Sequence, residues 1–139
     1  MELDDIEVPT VQEYVKAFRA IQSRITPNQR KMLLFHHRAP ARVVSATRLA
    51  QEAGFEGHSG ANLQYGLLAS ELLRQLGIEL PETVKSGILV DFVNPEFAGN
   101  QEWLWVMRSN VAEALEQLGW APRISHLLYP ADALEVPGA

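Results

Sequence analysis

The chain has 139 residues, the usual size of a single domain that buries its own hydrophobic core. Hydrophobic residues make up 47% of the sequence and charged residues 21%, which are the proportions of a globular protein rather than a disordered one. The absence of cysteine excludes disulfides and thiolate metal sites, and no apolar run is long enough to span a bilayer. We therefore expect a cytoplasmic protein without membrane association.

Charge is distributed unevenly along the chain, although the net value is only −5. The stretch from Tyr14 to Gln51 contains eight Lys or Arg residues and no Asp or Glu. The rest of the sequence holds the other four basic residues and all seventeen acidic ones. If the basic stretch stays on one side of the fold, it predicts a bipolar molecule with one positive surface. The alternative is that these side chains lie on solvated helix faces.

Two capping boxes predict the first two helices. Thr10 is followed three residues later by Glu13, which predicts a helix running to about Ser23. Thr26 begins the same arrangement, with proline at the first helical position and glutamine three residues after the threonine. This second helix is expected to end before Pro40, because proline cannot donate a backbone hydrogen bond.

Two more helices follow within a short distance. Ser45 is the predicted N-cap of a short helix at 46–53, and Gly54 is its expected left-handed C-cap. Ser59 is the predicted N-cap of a longer helix that stops at Gly77. Six leucines are expected on its buried side: Leu63, Leu67, Leu68, Leu72, Leu73 and Leu76. Two helices joined by a brief glycine-containing turn are typical of a helix-turn-helix.

Beyond these helices the apolar spacing changes to that of β-strands. The segments 87–93 and 103–107 have the alternating or continuous apolar residues of strands, and the turn-rich segment 94–100 connects them. This pattern predicts a β-hairpin that serves as a wing. Trp103 and Trp105 alternate with Leu104 on a strand, at least one face of which must belong to the core. We expect one tryptophan in the core, and the position of the other stays open.

The predicted fold is mainly α (α+β), a winged helix-turn-helix with a β-hairpin wing. Its last helix is expected at 110–118, with Ser109 as the N-cap. We expect the folded domain to cover residues 10–120. Residues 1–9 are expected to form a disordered acidic N-terminus, and residues 121–139 an irregular C-terminal tail that is rich in proline.

The stretch from Ile25 to Leu76 resembles the helix-turn-helix-like region found beside HNH nuclease domains in bacterial restriction-type proteins. The segment WLWVMRSNVAEALEQLGW at 103–120 is similar to the strand and helix that close that region. The resemblance implies a nucleic-acid-binding accessory module, carried here by Ser45 to Leu76 and Trp103 to Trp120. The chain departs from those proteins in lacking the nuclease, which needs a metal-binding His or acid beside a general-base His and a positioned Asn.

No catalytic residue, metal site or cofactor is expected, so an enzyme is the least favoured class of function. Adjacent His36 and His37 point in different directions on a helix and do not form the i, i+4 pair of zinc sites. The hydroxyls of Ser45, Ser59 and Ser109 are explained as helix caps, because none stands in a nucleophile motif with a histidine and an acid.

DNA binding is the function that the sequence favours. In a helix-turn-helix the start of the second helix enters the major groove, which places four side chains near base edges: His58, Ser59, Asn62 and Gln64. Asn and Gln side chains suit adenine, although both residues also fit the polar face of an ordinary amphipathic helix. Six basic residues are expected to contact phosphates: Arg30, Lys31, Arg38, Arg42, Arg48 and Arg108.

A protein-interaction module is the alternative. In that case the winged-helix scaffold binds a nuclease, a regulator or a second copy of the chain. The fold alone does not separate this function from binding to double-stranded DNA.

Overall fold

The structure is a computed structural model that describes residues 7–94 and 102–123. Within these residues the fold is mainly helical with a small antiparallel sheet, which confirms the α+β class. The helices are α1 (Val11–Ile21), α2 (Pro27–Arg38), α3 (Ala46–Ala53), α4 (His58–Leu76) and α5 (Ser109–Gln117). The strands are β1 (Val43–Ser45), β2 (Val90–Val93) and β3 (Leu104–Met107). Short 3₁₀ segments lie at Gln22–Arg24, Pro40–Arg42 and Glu82–Ile88.

The predicted caps of the first three helices are confirmed. The Oγ1 atoms of Thr10 and Thr26 each accept a hydrogen bond from the backbone N–H three residues later, and both capping boxes are complete. Ser45 Oγ accepts the N–H of Arg48 at 3.1 Å. Gly54 ends α3 with φ +90°, a left-handed conformation that glycine adopts without steric cost.

Two predicted caps are wrong. Helix α4 begins at His58 with Gly57 as its N-cap, so Ser59 lies inside the first turn. Helix α5 begins at Ser109 itself, after Arg108. A hydroxyl near a helix start is compatible with several neighbouring positions, and here the preceding backbone fixes the boundary one or two residues earlier.

The three strands form one antiparallel sheet in the order β1-β3-β2. Trp105 at the centre of β3 pairs with Val44 on one side and Phe92 on the other. The pairing of β2 with β3 confirms the predicted strands of the hairpin, although β2 starts only at Val90. Residues 82–88 form a 3₁₀ segment where the first part of that strand was expected. Most of the predicted connector at 94–100 lies outside the described residues.

Helix α4 lies at the centre of the fold and packs against α1, α2, α3 and the 82–88 segment. Its Tyr65, Leu68 and Leu72 are fully buried, and Trp105 belongs to the same core. The prediction that all six leucines of α4 are buried is wrong for two of them. Leu63 is 58% exposed and Leu67 is 48% exposed, because the packed neighbours leave one strip of the helix uncovered.

The folded region begins before Thr10. Pro9 is buried, and its carbonyl accepts a hydrogen bond from Asn110 Nδ2 at 2.9 Å, so the expected disorder of residues 1–9 does not extend to Pro9. Residues 1–6 and most of the predicted tail, 124–139, lie outside the described residues. Among the helices of the described ranges, none combines the length and apolar composition needed to cross a bilayer.

Candidate nucleic-acid interface

The start of α4 is exposed and held at a fixed angle to α3. Phe55, in the turn between the helices, packs directly against Gly60, where an added Cβ would lie only 2.7 Å from the phenylalanine side chain. The N–H of Phe55 also donates to the Ala50 carbonyl at 2.8 Å. Glycine at position 60 is therefore required for this close approach. The contact presents the first turns of α4 to solvent in a defined orientation.

Three of the predicted base-contacting residues lie together on these turns. His58, Ser59 and Asn62 are all exposed. Asn62 Nδ2 donates to His58 Nδ1 at 3.4 Å, which joins the two side chains across one turn of the helix. The fourth, Gln64, points elsewhere. It is half-buried and accepts a hydrogen bond from Gln29 Nε2 at 3.2 Å, so its position between α4 and α2 contradicts the predicted place near base edges.

Beside the start of α4 lies an open cleft of about 470 Å³ between α3, α4 and β3. Its lining includes His58, Asn62, Thr47 and the half-exposed indole of Trp103. Glu102 closes one side, where its Oε2 accepts hydrogen bonds from Thr47 Oγ1 at 2.6 Å and Thr47 N–H at 3.1 Å. The segment that leads into β3 is thereby attached to the first turn of α3.

Leu63 and Leu67 extend the exposed side of α4 with apolar surface. They are one helical turn apart and lie on the same side as Ser59. We use the term α4 surface for the exposed side chains Ser59, Asn62, Leu63 and Leu67. None of these four side chains is acidic or basic, and the first Asp, Glu, Lys or Arg of α4 is Glu71.

Half of the predicted phosphate contacts are engaged inside the fold. The side chain of Arg42 is only 12% exposed and its Nη2 lies 3.1 Å from Glu116 Oε2. Arg108 Nε donates to the Gly87 carbonyl at 2.6 Å. The guanidinium of Arg30 stacks on the Trp120 ring, 4.2 Å from its centre. These three arginines stabilise the packing of the termini and the sheet, so the continuous positive surface expected from the acid-free stretch is reduced.

The other three basic residues lie on the helices that precede α4, two of them against Phe35, and Arg48 Nη2 also lies 3.5 Å from Glu52 Oε2. The guanidinium carbons of Arg38 and Arg48 lie 5.8 and 5.6 Å from the centre of the Phe35 ring. Lys31 is exposed one turn before Phe35 on the same face of α2. We call Lys31, Arg38 and Arg48 the Phe35 basic cluster. Arg48 directly follows Thr47, which lines the cleft, so the cluster borders the start of α4.

The histidines of α2 are interior residues. His36 is fully buried, and burial lowers its pKa to about 4. Burial also lowers the pKa of His37, although the Glu116 carboxylate 2.8 Å from its Nε2 acts in the opposite direction. In the part of the chain that the structure describes, no group of three His, Asp or Glu side chains is placed to hold a metal ion.

The sequence did not identify Thr47 and Glu102 as lining the cleft, or Leu63 and Leu67 as parts of the α4 surface. The contact of Thr47 with Glu102 joins residues that are far apart in the chain, and the local sequence carries no signal for it. The leucines were assigned to the core because leucines occur on several sides of α4.

In comparisons with known proteins, no family model, curated protein or solved structure matches this chain.

Proposed function

We propose that this chain is a DNA-binding winged helix-turn-helix protein. The order helix, strand, helix, helix, strand, strand supports the proposal, as does a sheet in which the last strand pairs with both others. The short α3–α4 turn has the glycine-dependent contact expected of a helix-turn-helix. The resemblance to regions beside HNH nucleases favours a regulatory or restriction-associated accessory module.

The observation that carries the proposal is the exposed, rigidly held start of α4 beside the Phe35 basic cluster. In the proposed complex, the first turns of α4 enter the major groove with Ser59 and Asn62 at base edges. Lys31, Arg38 and Arg48 neutralise phosphates on the flanking backbone. Arg30, Arg42 and Arg108 act through the fold rather than by touching DNA.

Binding to a fluorescent duplex, measured by anisotropy over a series of salt concentrations, tests the proposal. Three phosphate contacts predict that log K falls with log salt concentration at a slope of about −3. The double variant Arg38→Glu, Arg48→Glu is expected to abolish binding. Lys16→Glu with Arg19→Glu is the matched control, since it makes the same change in charge at exposed positions of α1. No binding at low salt, or equal loss in the control, would overturn the proposal.

A protein-interaction module is the second candidate, and the exposed apolar side chains favour it. Four large apolar side chains are exposed, which is more than the single exposed leucines found on most protein surfaces: Leu63, Leu67, Trp103 and Val93. The partner would be a nuclease, a regulator or a second copy of the chain. Light scattering tests self-association, which Leu63→Ser with Leu67→Ser is expected to remove. A chain that stays monomeric and binds DNA contradicts the homodimer form of this candidate.

A further inference from the structure

The α4 surface has an unusual chemistry for a helix that enters a DNA groove. It offers one hydroxyl, one amide and two leucine side chains, and within α4 the first charged residue is Glu71. The one basic side chain of the helix, Arg74, is held by Glu71 with 3.0 Å between Nη1 and Oε1. No cationic side chain of α4 is therefore available near the helix start to contact a base.

Each base pair presents a different set of groups in the major groove. Guanine offers two acceptors that Arg or Lys contacts best, and cytosine offers a donor that suits a carboxylate. Adenine offers a donor and an acceptor that match one amide group, and thymine offers a methyl group that suits an apolar side chain. The amide of Asn62 and the side chains of Leu63 and Leu67 thus correspond to adenine and thymine.

The spacing of the leucines fits successive positions along a groove. Leu63 and Leu67 are four residues apart, a rise of about 6 Å along the helix. Two base-pair steps of DNA cover roughly 7 Å. Leucines placed against cytosine would instead desolvate its amino group without a hydrogen-bond acceptor, which is unfavourable.

We infer that the α4 surface selects A·T base pairs, with Asn62 bound to adenine and Leu63 and Leu67 packed against thymine methyl groups. The inference rests on the proposed DNA-binding function and specifies which sequences the helix prefers. The exposed leucines then contact the floor of an A·T-rich major groove. The neighbouring Phe35 basic cluster favours a polyanion over an apolar protein surface.

The test uses three duplexes of equal length in the same buffer at low salt. One has an A·T core, one a G·C core, and the third is the A·T duplex with uracil in place of thymine, which removes only the methyl groups. We expect the A·T duplex to bind at least about tenfold more tightly than the G·C duplex. Replacing thymine by uracil is expected to weaken binding several-fold, because Leu63 and Leu67 lose their apolar contacts.

Two variants assign the effect to individual side chains. In Leu63→Ala with Leu67→Ala, the A·T and uracil duplexes are expected to bind equally. In Asn62→Ala, replacing adenine by 7-deazaadenine, which lacks the N7 acceptor, is expected to have no further effect. All three side chains are exposed, so these variants retain the fold, and circular dichroism checks this.

The outcomes distinguish failure of the proposed function from failure of the A·T inference. Failure of every duplex to bind at low salt rejects the proposed function itself. Salt-dependent binding of equal strength to all three duplexes keeps the proposed function and overturns the A·T inference. Unchanged DNA binding by the double leucine variant, together with a loss of self-association, also overturns it and assigns the leucines to a protein contact.

Discussion

His36 and Tyr65 form a buried hydrogen bond that joins α2 to α4, with 3.0 Å between Nδ1 and the phenolic oxygen. On the other side of the imidazole, Nε2 lies 3.0 Å from the Trp105 carbonyl and 3.1 Å from the Arg42 carbonyl. Because carbonyls only accept, Nε2 carries the proton and Nδ1 accepts from Tyr65. One neutral histidine therefore ties both helices to β3, beneath the proposed interface.

This arrangement predicts that the protein loses stability in mild acid. In the folded state the pKa of His36 is about 4, whereas its ordinary value is 6.5. Between these pH values the unfolded chain binds more protons than the folded one, so the free energy of unfolding decreases as the pH falls. We expect this group to lower the free energy of unfolding by roughly 3 kcal/mol over the whole window.

Urea unfolding at several pH values from 7.5 to 4 measures this effect. The variant His36→Gln is expected to be less stable at pH 7.5 but to show a weaker pH dependence, because it has no imidazole to protonate. If the free energy of unfolding depends on pH equally in both proteins, protonation of His36 is not the cause of the loss of stability in acid. The contribution of His37 acts in the same direction and remains in the variant.

The Tyr65 hydroxyl itself is expected to stabilise the fold. Tyr65→Phe keeps the ring that stacks between His36 and Trp105 but removes the donor to His36 Nδ1. A buried acceptor without its donor costs about 1–3 kcal/mol, and we expect a corresponding loss in urea unfolding at pH 7.5. Stability equal to that of the unsubstituted protein would show that Nδ1 finds another donor.

The fold was more predictable than the site, for a physical reason. Capping boxes and the glycine at Gly54 are local signals, so α1, α2 and α3 follow from a few neighbouring residues. Strand β1 has three residues and exists only through its pairing with β3, about sixty residues later, which no local pattern encodes. The sequence therefore does not predict this strand.

The partners of the basic residues were also not predictable from the local sequence. A count of charge along the chain indicates that Arg30 and Arg42 belong to an acid-free stretch, but it does not identify their partners. Those partners, Trp120 and Glu116, come from the last helix and the residues after it. Arg30 and Arg42 therefore stabilise the fold, while Arg38 and Arg48 lie at the surface.

Glu116 is expected to be essential for stability because its buried carboxylate pairs with two arginines and also contacts His37. Its carboxylate is 8% exposed and contacts His37, Arg42 and Arg123 at 2.8, 3.1 and 3.3 Å. Glu116→Ala would remove the buried carboxylate that contacts Arg42, at an expected cost of about 1–3 kcal/mol. Glu113→Ala is the control, since Glu113 is exposed on the same helix and should change stability by less than about 0.5 kcal/mol.

Thermal and urea unfolding of the two variants provide the comparison. Partly buried ion pairs are screened little by salt, so the destabilisation in Glu116→Ala is expected to persist at high salt. A loss no larger than that of Glu113→Ala would contradict the structural role of this cluster.

The carboxylate of Glu102 is expected to oppose DNA binding under the proposed function. It occupies the first turn of α3 through two hydrogen bonds from Thr47, a position where backbone N–H groups otherwise attract phosphate. Glu102→Gln removes the negative charge but keeps an oxygen that accepts from Thr47. We expect duplex affinity to rise roughly two- to fivefold at low salt and the gain to shrink as salt increases.

Glu79→Gln makes the same change in charge at an exposed position between α4 and the 82–88 segment, and it should leave affinity nearly unchanged. Anisotropy titrations of both variants with one duplex at two salt concentrations give the comparison. If Glu102→Gln binds no more tightly than Glu79→Gln, phosphates do not approach the start of α3. The orientation proposed for α4 in the groove would then be wrong, since that orientation places α3 beside the DNA backbone.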